Sequence, residues 1–397
     1  MKILRLLVIP VFVLLATLAF AADTSKYLFF VGTYTNDEGK ATSSKGIYAY
    51  YYDPAAGKMD SLGVAAETTN PSWLAISPNG KFLYAVNEVP NYKGPNSGGL
   101  SAFAIDRDKN DRPNGKLTFL NEVATRGADP CYVTIDKTGK WALVANYTGG
   151  SVAVFPIGDD GKLGEASDFI QHKGHGANPK RQEGPHAHSI DLSHDNRFAY
   201  VDDLGLDEVL VYKFDEKNGK LTPNDPPFAK VDAGAGPRHI AFSPDESHAF
   251  VLTEIQGTVN AFSNSPAKGE MHFLQKITTL PKDYSGEIED AEIRMHPSGK
   301  FVYASSRGDA NSISVYAVDE KASAEPLKLV EMVSTAGKTP RSFEIDTTGT
   351  LLVAENEKSD TLLFFGIDEA TGKLHSTGTV LHVPSPVCVK FLVLKWK

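Results

Sequence analysis

The sequence predicts an all-β fold: a seven-bladed β-propeller with four-stranded blades, the last blade closed by N- and C-terminal strands. Three observations predict it. A strand–turn–strand unit recurs in register, it recurs about every 50 residues, and helical periodicity is nearly absent between the recurrences.

The units are Pro71-SWLAISPNGKFLYAVNE, Pro130-CYVTIDKTGKWALVANY, Ala187-HSIDLSHDNRFAYVDDL, Pro237-RHIAFSPDESHAFVLTE, Asp290-AEIRMHPSGKFVYASSR and Pro340-RSFEIDTTGTLLVAENE. They align without a gap. Each is an alternating apolar run, a turn rich in Pro, Asp, Asn or Gly, and a second apolar run ending in polar residues. Two further strand-like runs follow each unit, as in Gly99-LSAFAID and Lys116-LTFLNEVAT after the first. A seventh start, Pro386-VCVKFL, comes too late to complete a blade. The missing strands stand at the other end, in Tyr27-LFFVGTYT, Gly46-IYAYYYD and Lys58-MDSLGVAAE. Joining them closes the ring and removes an open sheet edge. Residues 22–397 are therefore expected to form one propeller domain.

Residues 1–21 read as a signal peptide. Lys2 and Arg5 precede an apolar run from Leu6 to Phe20, and Ala19-Phe20-Ala21 has the small-x-small pattern of a cleavage site. The apolar stretch falls short of the roughly 20 residues a spanning helix needs. The expectation is a periplasmic or secreted protein cut near Ala21, with no membrane attachment afterwards. A formal net charge of −9 argues against nucleic acid as a partner. Two cysteines in 397 residues exclude a disulfide scaffold or a structural zinc site built from four cysteines. Cys131 and Cys388 begin innermost strands of separate blades and are expected to be buried and unbridged. A monomer is expected.

In a propeller the innermost strands line a central channel, so the register lets single columns be read across blades. The second position of the innermost strand holds Ser72, Cys131, His188, Arg238, Ala291, Arg341 and Val387. Fifteen residues on come Asn87, Asn146, Asp203, Thr253, Ser306 and Asn356, followed by Glu88, Tyr147, Leu204, Glu254, Arg307 and Glu357. Structural columns of a repeat converge on one residue type, whereas these diverge toward chemistry. Arg238, Arg307 and Arg341 suit an anion by forked hydrogen bonds. His188 and Glu254 suit proton transfer. Ion pairs bridging blades are the alternative reading of each.

The least blade-like stretch, Gln171 to His188, reads QHKGHGANPKRQEGPHAH. A long loop without regular structure points to function. His172, His175, His186 and His188 raise a metal site, but no carboxylate or cysteine partner is evident, and no metal or other cofactor is expected. Serine-hydrolase elbow, Walker loop, dinucleotide-binding and zincin motifs are absent from the sequence.

The segments GHGANPKRQEGPHAHS (174–189), DDLGLDEVLVY (202–212), GPRHIAFSP (236–244) and VANYTGGSVAVFPI (144–157) carry a resemblance. So do the opening FFVGTYT (29–35) and KGIYAYYYD (45–53). The chain resembles the seven-bladed propeller lactonases, which include bacterial 6-phosphogluconolactonase and carboxy-cis,cis-muconate lactonising enzyme. The resemblance implies catalytic positions at His188, Arg238, Glu254 and Arg307, with His186 beside the first; His186, Asn146, Asp203, His239 and Arg341 are expected as substrate contacts. It departs at Ser306, where Asn is common in the family. The implied chemistry is lactone opening without a metal, on a small anionic lactone. His188 or Glu254 would activate water, and Arg238 or Arg307 would offset charge on the carbonyl oxygen. A muconate-type cycloisomerase and a non-catalytic exported binding propeller are the other readings. The leader conflicts with a phosphorylated substrate, because phosphorylated sugar lactones are cytoplasmic intermediates.

Overall fold

A computed structural model describes residues 26–37, 39–53, 57–322 and 324–394. The proposed leader lies outside the described residues. Seven four-stranded antiparallel sheets form seven blades, and each innermost strand packs against the innermost strands of the two neighbouring blades, closing a ring.

Blade 1 comprises Leu74–Ile76, Phe82–Asn87, Gly99–Arg107 and Pro113–Ala124. Blades 2 to 6 begin with Pro130–Ile135, Ala187–Leu192, Pro237–Phe242, Asp290–Met295 and Pro340–Ile345. Blade 7 is the composite one. Pro386–Leu394 is innermost and pairs with Lys26–Thr33, followed by Gly46–Asp53 and Lys58–Glu67. The closure read from the sequence is thus the closure observed. A two-residue hairpin, Asn36–Asp37 with Lys40–Ala41, is an addition the repeat did not foretell.

The repeat's turn chemistry explains why each inner hairpin folds locally. In five of the six units the side chain six positions after the leading residue accepts hydrogen bonds from the start of the second strand, whereas His296 accepts from Ser298 N within its turn. Asp136 Oδ1 takes Lys140 N and Trp141 N at 2.7 and 2.8 Å, and Asp346 Oδ1 does the same for Thr350 and Leu351. Ser77, Ser193 and Ser243 serve Phe82, Phe198 and His248 through one hydroxyl each. Three positions further the backbone is left-handed. Gly139 and Gly349 suit that conformation, whereas Glu246 holds φ 56° with a full side chain.

The second strands carry the core. Phe198–Asp203, His248–Thr253, Phe301–Ser306 and Leu351–Asn356 are buried at every position, sandwiched between the first and third strands and the adjacent blades. The outermost strands, by contrast, leave Phe119 and Phe273 more than half exposed. Both cysteines are free and buried. Among the described residues no helix is long and apolar enough to cross a membrane.

Candidate active site

The column that the register picked out faces the channel for a reason the sequence did not show. In blades 2, 3, 4 and 6 the pairing of the first two strands slips by one residue at Cys131, His188, Arg238 and Arg341. These side chains therefore occupy β-bulges. A bulge re-aims a side chain out of the pleat, here into the channel at one mouth. His188, Arg238, His239 and Arg341 meet around an axial pocket of about 10 Å³, the size of a single water. Glu88 and Arg341 line both this pocket and an outer cleft of about 840 Å³ that also presents Arg307 and Tyr147.

One carboxylate organises the arginines. Glu254 Oε2 lies 2.9 Å from Arg238 Nε and 3.1 Å from an Arg307 terminal nitrogen. Its Oε1 lies 2.5 Å from Arg181. Burial alone would raise the Glu254 pKa, but Arg307, Arg238 and Arg181 draw it down to about 2. Glu254 is a fixed anion, and it is unsuited to carry protons near neutrality. Arg238 is further held by the Ala291 carbonyl. The Nε of Arg307 is buried without a hydrogen-bond partner among the described residues.

His188 is the opposite case. Burial first, then Arg238, His239, Arg341 and Arg307, push its pKa well below 6.5. It is a neutral imidazole at neutral pH, with Nδ1 3.8 Å from the Cys131 sulfur. Its ring packs edge-on to Tyr147 and His239. His239 is also neutral: burial lowers it to about 4 despite Glu292, whose Oε1 is 3.0 Å from its Nδ1. The Glu292–His239 pair fixes that ring beside Arg238, 3.4 Å from Nε2 to the guanidinium.

Three expected substrate contacts are placed elsewhere. Asn146 is fully buried and donates to Ser151 Oγ at 3.1 Å and Thr125 O at 3.4 Å. Asn87 and Asn356 likewise tie their strands to preceding segments. The three asparagines of that column are therefore straps to the segment that enters their blade. Asp203 accepts from His172 Nδ1 at 2.6 Å and from His186 N and Gly205 N, bracing the 172–186 loop. His186 lies just before the strand, stacked on Tyr147 at 4.7 Å with Nδ1 on the Tyr147 carbonyl. It supports the pocket wall. The loop histidines have separate partners, His172 also reaching Tyr212, and among the described residues no three His, Cys, Asp or Glu side chains gather as a metal site would require.

The column reading missed Arg181 and Tyr34. Arg181 belongs to the loop and was hidden because no repeat register reaches it, yet it touches Glu254 and Tyr147. Tyr34 lies beneath the Arg341 guanidinium, 5.1 Å from the ring centre, and donates to Glu88 at 2.9 Å.

A neutral base candidate beside arginines fixed on a permanent anion, at the mouth of a closed ring, is the equipment of a propeller enzyme for ester or lactone chemistry. The family model described as "Lactonase, 7-bladed beta-propeller" matches residues 28–391. The chain is 37% identical to the 6-phosphogluconolactonase of Bacillus subtilis, over 93% of this chain and 99% of that protein. It is 31% identical to the 6-phosphogluconolactonase of Formosa agariphila, over 87% of this chain and 94% of that protein. Among solved structures, a periplasmic gluconolactonase of Pseudomonas aeruginosa superposes with a TM-score of 0.84 at 31% identity, covering 93% and 99% of the two chains. The chain belongs to the seven-bladed β-propeller lactonases, enzymes of the carboxylic-ester hydrolase class.

Proposed function

We propose that this protein hydrolyses a sugar-acid lactone seated in the outer cleft, its carbonyl turned toward the single-water axial pocket, with His188 as the base. The observation that carries the reading is the pairing of a neutral, buried His188 with two arginines pinned by Glu254. His188 takes a proton from water as the water oxygen bonds to the lactone carbonyl carbon. The carbonyl π pair moves onto oxygen, where the Arg238 and Arg307 guanidinium groups meet the developing charge. The tetrahedral adduct then expels the ring oxygen. His188 returns its proton to that leaving alkoxide, giving a hydroxy acid and the free enzyme. The new acid group then loses its proton to solvent, and the resulting carboxylate lies beside the same arginines.

In this reading the arginines serve the acyl end of the substrate. That shifts the expectation of an anionic lactone, because Arg181, Arg238 and Arg307 already share Glu254. The basic-apolar-small pattern of residues 1–21 supports export, so the reaction is assigned to the periplasm or the exterior. Acid release from D-glucono-1,5-lactone by the purified protein, corrected for spontaneous opening, tests the assignment. Turnover that disappears in His188→Ala is expected. Full activity in that variant would remove His188 from the mechanism, and no turnover on any sugar lactone would favour a binding propeller.

A further inference from the structure

The outer cleft has a charge pattern that the mechanism does not use. Its wall carries the carboxylates of Asp37, Glu88, Asp129, Glu289 and Glu357 against the cations Arg307, Arg341 and Lys358. Every one of those cations has a carboxylate partner. Arg307 is on Glu254 at 3.1 Å, Arg341 is near Glu88 at 3.9 Å, and Lys358 is shared by Glu357 at 3.1 Å and Asp37. Asp129 and Glu289 make no ion pair among the described residues. The positive charge is thus gathered at the inner end around His188, and the unbalanced charge on the outer rim is negative.

We infer that this acidic rim is a selectivity wall: Asp129, Glu289 and Glu357 admit the hydroxylated tail of an unphosphorylated sugar lactone and reject a phosphate there. The inference rests on the lactonase reading and names its substrate class. A lactone whose carbonyl meets the inner arginines must point its far end outward along the cleft. Ionised carboxylates are acceptors only, with two oxygens each, and sugar hydroxyls are donors. A phosphate offers only acceptors and a negative charge at neutral pH, so it would find like charge and no unshared cation. The Bacillus subtilis relative has a phosphorylated substrate in its name. The acidic rim separates this chain's preference from that name.

The rim is partly open to water, so screening keeps the discrimination moderate. The test compares kcat/KM of the purified protein for D-glucono-1,5-lactone and its 6-phosphate at low ionic strength. Equilibrium binding of D-gluconate and 6-phosphogluconate is measured alongside. The expected preference for the unphosphorylated lactone is about tenfold or more, shrinking as salt is added. In Asp129→Asn/Glu289→Gln/Glu357→Gln the ratio should fall several-fold through improved use of the phosphorylated lactone. A native preference for the phosphorylated lactone, or a ratio unmoved by the triple variant, overturns the wall. Absence of turnover on both lactones overturns the lactonase reading instead. The binding arm then still decides: 6-phosphogluconate held as tightly as gluconate sinks the inference, and weaker binding relieved in the triple variant upholds it.

Discussion

Arg238 Nε and Glu254 Oε2 stand 2.9 Å apart with both side chains less than 5% exposed, so neither charge has water to fall back on. Arg307 and Arg181 share the same carboxylate. Removing one partner of a buried pair leaves the others uncompensated and costs about 3–5 kcal/mol. Glu254→Gln is expected to lose stability of that order and nearly all turnover, since Arg238 and Arg307 would repel one another without their shared anion. Urea denaturation alongside a single-point activity assay checks it. A Gln variant with native stability and turnover would show that the arginines are placed by other contacts.

His188 gives a prediction about pH. Its lowered pKa means that the unprotonated, base-competent form persists into mildly acidic solution. The kcat/KM profile should stay flat from about pH 8 down to about pH 6 and fall only further into acid. His188→Ala should retain the fold and lose about 10²- to 10⁴-fold in kcat. An inflection at the ordinary histidine value of 6.5 would mean a solvated base, and would move the role away from this buried ring.

The propeller was legible because its repeats keep turn chemistry in register, from Ser77 to Asp346, and because Pro386-VCVKFL visibly lacked partners. Catalytic candidates were legible where a structural column broke its own rule, as at His188 and Arg238. The bulges that aim them were not, since a bulge changes pairing and leaves residue order untouched. Asn146 shows the converse limit. A polar residue at a strand end next to a cleft reads as a ligand, and only its partners, Ser151 and Thr125, reveal a strap. Arg181 escaped because a loop of irregular length has no register to compare.

The strap reading makes Asn146 a stability residue. Asn146→Ala deletes a buried amide whose donors reach a neighbouring segment, and a lost buried hydrogen bond costs about 1–3 kcal/mol. Denaturation midpoints should fall accordingly while KM for the lactone stays within about twofold. A large KM change with unaltered stability would return Asn146 to the substrate.

A last prediction concerns Asp202, fully buried behind the innermost strand of blade 3, where Ser189 Oγ donates to its Oδ2 at 2.7 Å and Oδ1 has no partner among the described residues. Burial, with Asp191 and Asp203 adding to it, raises its pKa to about 8, the Ser189 bond opposing. In the unfolded chain the value returns to about 3.8. The native state therefore holds a proton that the unfolded state has released, and stability declines as pH rises from that value through about 8. Asp290, raised by burial to about 7, acts in the same direction but finishes earlier. The buried histidines act oppositely: with His239 at about 4 in the fold and 6.5 outside it, their contribution is lost as pH falls below 6.5. Working above pH 6.5 thus leaves the buried carboxylates, among them Glu355, which burial also raises well above its ordinary value. Asp202→Asn keeps the shape and the acceptor for Ser189 while removing the titration. Between pH 6.5 and 8.5 the unfolding free energy should fall less in the variant than in the native protein, the remaining slope being shared by Asp290 and the other buried carboxylates. Equal slopes in the two proteins would mean that Asp202 is already ionised at neutral pH, and that its burial is offset by a partner other than Ser189.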